Sequence, residues 1–464
     1  MKKIFKTVAM AVLTIAMTAG FSSCNNDDLG QAPGSVETRV IIPHNTVISA
    51  NTTWSSADEY ILNGKVYVKA PATLTIQPGT VIKGVYNSDP EQASALIVTR
   101  GAKINANGNA TNPIIFTAQN GLKGGWGGIV LLGKAPINQP DQLIEGINPS
   151  VVPSGVDVYY GGGGAGLGDC DDNSGTLRYV RVEYAGAAIS DANELNAFTF
   201  GGVGKGTTLE YLQAYYGADD AFEFFGGCVD ARYLVSTATD DDAFDFDFGY
   251  KGRIQFAVST IDPSVSYSSD PNGIECDNQG GNGPWPATPK THPQLSNFTI
   301  VGTQSGTVAG GGIGTQHQLK SGANFRRGTE FTLVNSIVYG FPTGVLLENI
   351  NPIPSPSSEL KGVVISSVNP GSMVVGLTSA VATLCLSYVD TTGIVLTAPW
   401  GQFYTTNALK PTGGPALDSC IHPHTDTWFT QTTYKGAFAS GLGNTWLLAG
   451  VNQGWILPQK NYSN

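Results

Sequence analysis

The chain is short of what long helices and basic surfaces are made of. Charged residues make up 13% of its 464 positions and Met occurs four times, against 59 Gly. That balance excludes a predominantly helical protein and suits a chain of short strands and frequent turns. Basic residues are also scarce, 25 against 36 acids for a net charge of −11. Residues 1–23 contain Lys2, Lys3 and Lys6 and no acid, so without them 22 basic residues face 36 acidic ones, a net of −14. Nucleic acid is thereby excluded as a partner, because phosphate binding needs a basic face. Cysteine is sparse too. Once Cys24 is set aside, Cys170, Cys228, Cys276, Cys385 and Cys420 remain, an odd number without the spacing of a dense disulfide framework, so no pairs are assigned. Cys276 alternates in phase with Ile274 and is expected in the core.

What is present is a repeat. Asp219, Asp220, Ala221, Phe222, Glu223 and Phe224 return 22 residues later as Asp241, Asp242, Ala243, Phe244, Asp245 and Phe246. Phe alternates with an acid in both copies, the period of a strand with one face turned to the core. Ala197 to Phe200 precede the first copy and Gly273 to Cys276 follow the second, so the outward position reads Thr199, Glu223, Asp245, Glu275. A second strand keeps the same phase: Tyr179, Tyr211 and Tyr233 lead into Val180, Leu212 and Leu234. Earlier in the chain Val66, Val68, Ala72 and Leu74 recur as Leu96, Val98, Ala102 and Ile104, and a third pass follows at 128–137. Units of 20 to 30 residues made of short strands cannot bury an apolar face alone and must stack on one another. The fold class is therefore all-β: a right-handed parallel β-helix with loop excursions and a C-terminal cap, one repeat body despite the length.

In chain order, residues 1–23 form a secretory signal peptide. Its apolar run from Val8 to Phe21 is too short to span a membrane comfortably. The residues before Cys24 resemble a bacterial lipobox, which implies cleavage and lipidation of Cys24, and the following Asn25 to Asp28 resemble a surface-export tract of Bacteroidota lipoproteins. Residues 24–45 are expected as a lipidated Cys and flexible tether, 46–400 as the solenoid and 401–464 as a cap over its open end. Gly-rich residues 138–175 and Pro-rich residues 262–295 interrupt the rhythm, and such insertions often shape a binding face.

Several stretches together resemble a Bacteroidota family of secreted or lipid-anchored right-handed parallel β-helix proteins. They are LTIQPGTVIKG at 74–84, ALIVTRGAKINANG at 95–108, GGWGGIVLLGKAPIN at 124–138, SGTLRYVRVEYAG at 174–186 and the GADDAFEFFGG and DDDAFDFDFGY pair. The resemblance implies the fold and an outer-membrane, surface-facing location. It implies no catalytic residue.

The outward acids carry the chemistry. Neighbouring turns lie about 4.8 Å apart, and two full charges at about 5 Å repel by roughly 3 kcal/mol at an effective dielectric near 20. A bound cation, a raised pKa or splaying into water relieves this. Asp219, Asp220, Glu223, Asp241, Asp242, Asp245 and Asp247 offer hard oxygen ligands of the kind Ca²⁺ takes. The plainer reading is a solvated acidic face. The same carboxylates fit a polysaccharide lyase or glycoside hydrolase, with Glu223, Asp245 and Glu275 as acids and Arg326 as base, if Phe325 to Arg327 are a later copy of Phe222 to Phe224. Asp169, Asp171 and Asn173 imitate the start of a calcium loop, for which a local Asx-turn is the alternative. His422, His424 and Asp426 are a further metal-ligand set, or a polar loop of the cap. Tyr215, Tyr216 and Phe225 are candidates to stack on a sugar. The expected partner is a glycan or an envelope protein. A lyase on the same scaffold and a passive accessory subunit are the alternatives.

Overall fold

The computed structural model describes residues 38–190, 193–267, 271–309, 316–350, 357–389, 396–397, 399–400, 409–440, 446 and 455–457. Among them, 11 strands from Thr46–Ile48 to Val374–Val375 stack into one parallel sheet and 18 strands into a second. The chain coils as a right-handed parallel β-helix because each unit closes its apolar face against the next. Register follows the sequence repeats. Val66 pairs with Leu96 and Val68 with Val98, Leu74 with Ile104, and Val180, Leu212 and Leu234 follow one another. Inside, Phe222 stacks between Phe198 at 5.0 Å and Phe244 at 5.5 Å.

The larger sheet bends along one column. Tyr179, Tyr211, Tyr233, Phe256, Asn297 and Asn335 all hold positive φ, between 50° and 65°. Residues with a Cβ seldom adopt that conformation, yet it turns the strand from one wall to the next while pairing resumes on both sides: Glu210 faces Arg232 before Tyr211, and Leu212 faces Leu234 after it. Ring stacking offsets the strain, with Tyr211 4.3 Å from Tyr179 and 4.4 Å from Tyr233.

Both ends differ from the sequence expectation. Thr38–Pro43, expected inside the tether, is a strand paired in parallel with Asp58–Asn63. Its alternating Val40 and Ile42 pack against the core, which draws the segment onto the first turn. The described residues of the C-terminal segment, which was expected as an end cap, run along the outside of the larger sheet. That wall presents Val235, Val258, Val301, Ile337 and Val364 outward, and Leu409, Phe438, Trp455 and Ile456 cover them. A disulfide joins Cys385 in the last turns to Cys420 in this segment, and a second links Cys170 to Cys228, while Cys276 is a buried free thiol. The final turn keeps Val375, Leu384 and Tyr388 exposed.

Candidate metal centre

The acids lie on the outer face of the 11-stranded sheet. Thr199, Glu223, Asp245, Glu275 and Asn324 occupy one column in successive turns. Three residues before each of the first four stands an Asn or Asp, and these form a ladder. The side-chain oxygen of Asn196 accepts the backbone N–H of Asp220 at 3.1 Å, Asp220 accepts from Asp242 at 2.8 Å, Asp242 from Asn272 at 2.7 Å, and Asn272 from Ser321 at 3.1 Å. Each rung ties one turn to the next and orients the strand that follows it.

Ladder and column converge. Asp220, Glu223 and Asp245 each bring a carboxylate oxygen within 4.8 Å of the other two, and Asp219, Asp220 and Asp241 do the same. The face is less solvated than the plainer reading had it: Asp220, Glu223, Asp242 and Glu275 are buried, Glu223 at 6% exposed and Glu275 at 8%, while Asp219, Asp241, Asp245 and Asp247 are partly exposed. The excursion after Ile137 covers the earlier turns of this face, packing Ile144, Ile147, Val158 and Tyr160 onto outward residues Tyr67, Ile97, Val130 and Phe225. Arg100 pins that excursion through Asp157 at 2.7 Å and the Gly161 carbonyl at 3.0 Å. Strands such as ALIV at 95–98, apolar at every position, carried this signal, because a strand that reads apolar throughout is covered on both faces.

Burial dominates the electrostatics. It pushes Glu223 well above the carboxylate range, aided by Glu145 and Asp220. Asp245 is raised by burial and then by Glu275, and Asp220 by burial and then by Asp242. Asp219 rises through burial and Asp241, and Asp247 through burial and Asp277. Burial, with Asp241 beside it, lifts Asp242 to about 7, and burial lifts Glu145 to about 7. Glu275 reaches about 8 through burial and Asp242, against the pull of Arg326. A carboxylate cluster held this way favours protons or a cation. Within it, Asp245 Oδ1 and Thr199 Oγ1, on either side of Glu223, are buried with no hydrogen-bond partner.

Other candidates fall elsewhere. Asn324, rather than Arg326, continues the column, so the proposed copy is out of register by two positions. Arg326 still reaches the cluster. Its guanidinium bonds Glu275, and it meets Asp277 at 2.9 Å, while Arg327 meets Asp277 at 2.6 Å. These partners raise the Arg326 pKa further, which opposes a role as base. Asp247 faces Phe225 in the next column and accepts the Phe248 N–H at 2.6 Å. Asp169 accepts from Asp171 N–H and Asn173 from Gly175 N–H, while Asp171 pairs with Lys205 at 3.0 Å; these are local turns whose side chains do not converge. His422 and His424 lie edge to face at 6.3 Å, but His424 bonds Ser296 at 2.9 Å, Asp426 bonds Arg253 at 2.8 Å, and the three do not gather their ligand atoms into one site. Tyr215, Tyr216 and Phe225 are buried, the tyrosines against Ala238 and Phe225 against Tyr160, and offer no face to a sugar. Cys24 lies outside the described residues.

Four residues of this region escaped the sequence reading. Asn196 and Asn272 were detectable, because Asn196 to Thr199 and Asn272 to Glu275 repeat the three-residue spacing of Asp220 to Glu223. Glu145, which shares a hydrogen bond with Glu223 and another with Asn196 at 3.2 Å, sits in a non-repeating excursion and left no signal. Lys123 is the fourth. Its amine lies 3.7 Å from Asp240 and over the Tyr267 ring, and burial lowers its pKa.

A family described as a pectate-lyase like beta helix domain matches residues 46–373. No curated protein matches. Among solved structures, the crystal structure of pectate lyase Pel9A is similar over 88% of this chain and 98% of that one, with 12% identity and a TM-score of 0.32.

Proposed function

The chain belongs to the pectate-lyase-like β-helix domain family, and we propose that it is a cell-envelope lipoprotein whose largely buried acidic column holds a divalent cation and that binds a glycan or an envelope partner. The signal-like residues 1–23 and Cys24 support the anchor. The observation that carries the cation is the pair of orphaned oxygens, Thr199 Oγ1 and Asp245 Oδ1, flanking Glu223 in three successive turns. An all-oxygen donor set of carboxylates and a hydroxyl suits Ca²⁺ better than a softer metal. The ladder adds a second argument. Its outer rungs are Asn196 and Asn272, which accept a backbone N–H as well as a carboxylate does and without a buried charge. The inner rungs, Asp220 and Asp242, are ionisable carboxyls where the ladder itself needs only an acceptor, which suits a cation site.

The family's β-helix scaffold is compatible with a second reading, a calcium-dependent polysaccharide lyase. In that case Arg326, which two carboxylates hold, is poorly suited to take a proton.

Calorimetric titration with Ca²⁺ after chelation, with a thermal melt at each endpoint, tests the cation. Micromolar binding and a raised Tm are expected for the protein without residues 1–23, and Asp245→Asn is expected to lose both. No heat and no shift would remove the cation from the proposal. The lyase reading is separated by turnover on acidic glycans, which Asp245→Asn abolishes in an enzyme while glycan binding persists.

A further inference from the structure

One corner of the solenoid brings an acid, an imidazole and a hydroxyl into a single hydrogen-bonded line, apart from the acidic column. Residues 291–293 and 330–332 run side by side in neighbouring turns: the Thr291 carbonyl accepts the Glu330 N–H at 2.9 Å and the Pro293 carbonyl the Thr332 N–H at 3.0 Å. Gln294 lies in register with Thr332, and the same register carried two residues back sets His292 opposite Glu330. Leu295, Phe331 and Leu333 are fully buried in the core, so the alternation of a strand turns Gln294 and Thr332 outward, with His292 and Glu330 beside them. His292 Nδ1 lies 3.1 Å from Glu330 Oε2, and its Nε2 lies 3.1 Å from Thr332 Oγ1.

The roles follow from the donors. A carboxylate only accepts, so Nδ1 of the neutral ring carries the proton and Nε2 is left to accept from the Thr332 hydroxyl. Burial is graded along the line. Glu330 is 9% exposed, whereas His292 and Thr332 are partly exposed, so the carboxylate is held while the hydroxyl can meet a substrate. The backbone under the ring is tied down as well: the His292 N–H donates to the Tyr250 carbonyl at 2.7 Å and the Thr291 N–H to Asn278 Oδ1 at 2.9 Å. An acid that orients a base touching a hydroxyl is the arrangement of acyl transfer, recognised by roles and not by order in the chain. Gln294 stands beside Thr332 in the neighbouring turn and offers an amide N–H to an oxygen that gains charge.

We propose that Thr332, His292 and Glu330 form a site of their own that hydrolyses acyl esters. Thr332 Oγ1 attacks the ester carbonyl carbon while its proton passes to His292 Nε2. The tetrahedral intermediate collapses, the bond from that carbon to the alcohol oxygen breaks, and His292 gives the proton to the departing alkoxide, leaving the acyl group on Thr332. Water then attacks the same carbon and gives a proton to His292, and the carboxylic acid leaves as Thr332 Oγ1 takes that proton back. The sum is ester plus water giving acid plus alcohol. Thr332 and His292 are the catalytic residues and Glu330 positions the ring. None of these steps passes through the acidic column, so this site stands or falls separately from the cation.

A fluorophosphonate probe tests the nucleophile, because it forms an O–P bond to an activated hydroxyl and releases fluoride. In chelator, labelling at Thr332, mapped by mass spectrometry, is expected in the wild type and is expected to be lost in His292→Ala. The wild type is also expected to hydrolyse p-nitrophenyl acetate. Thr332→Val and His292→Ala are expected to lower kcat/KM at least about a hundredfold, Thr332→Ser to keep turnover, and Glu330→Gln to lower kcat with KM unchanged. Thermal melts show that each variant is folded, and where one is not, labelling of the wild type and turnover by Thr332→Ser still decide. No label on Thr332, turnover that survives Thr332→Val, or kcat unchanged in Glu330→Gln each overturns the proposal.

Discussion

At the residue scale the acidic cluster asks two things of Asp242, an acceptor for the Asn272 N–H and a charge. Asn supplies the first and not the second. In chelator at pH 8, Asp242→Asn is expected to be more stable than the wild type. Asp242→Ala is expected to lie about 1–3 kcal/mol below Asp242→Asn, the usual cost of a buried donor left unpaired. Denaturant unfolding measures both, and equal stabilities for the two variants would remove the ladder's role. The pH dependence follows the same groups. Asp242 and Glu145 at about 7 and Glu275 at about 8 lie above their unfolded values. The folded chain therefore keeps protons that the unfolded chain has lost. Stability without metal is fully present near pH 4, falls as pH rises to about 8, and Ca²⁺ is expected to flatten the slope. Unfolding at pH 5 and pH 8, with and without Ca²⁺, reads the sign. Stability that rises with pH in chelator would contradict it.

At the scale of the element, the left-handed column is the feature most exposed to mutation. Tyr211 combines positive φ with rings stacked on both sides. The same column holds Asn297 and Asn335, so the corner itself accepts Asn. Tyr211→Asn is expected to keep the bend and lose the stack. Tyr211→Val loses the stack and also resists the conformation, about 1–3 kcal/mol worse. The expected order of Tm is Tyr, Asn, Val. An inverted order of Asn and Val would mean that the bend does not limit stability.

At the scale of the whole molecule, the C-terminal segment and the solenoid are two layers held by different means. Stacked turns protect the interior, while the segment depends on amide contacts and the Cys385–Cys420 link. Replacing both cysteines with Ser removes a loop constraint worth about 3 to 4 kcal/mol in the chain-entropy account. Hydrogen exchange at residues 420–437 is expected to quicken while the Phe222 and Phe244 strands stay protected. Unchanged exchange in the segment would show that its packing alone suffices.

The sequence by itself determined the solenoid and the stacking of its acids, because parallel pairing copies a linear repeat into space. The 22-residue offset between Glu223 and Asp245 became an in-register pair, and the tyrosine series became a stacked column. Tertiary structure decided whatever lies outside the repeat. How much of that face meets water depended on the excursion after Ile137, whose Ile144 and Tyr160 recur in no other turn. Glu145 joined Glu223 across that interface, and Arg326 missed the column yet reached Glu275 because a long side chain spans two positions. The described residues of the C-terminal segment lie along the flank for the same reason. Their partners, Gln213, Gln255 and Asn335, are far from them in sequence and line up only after the turns have stacked.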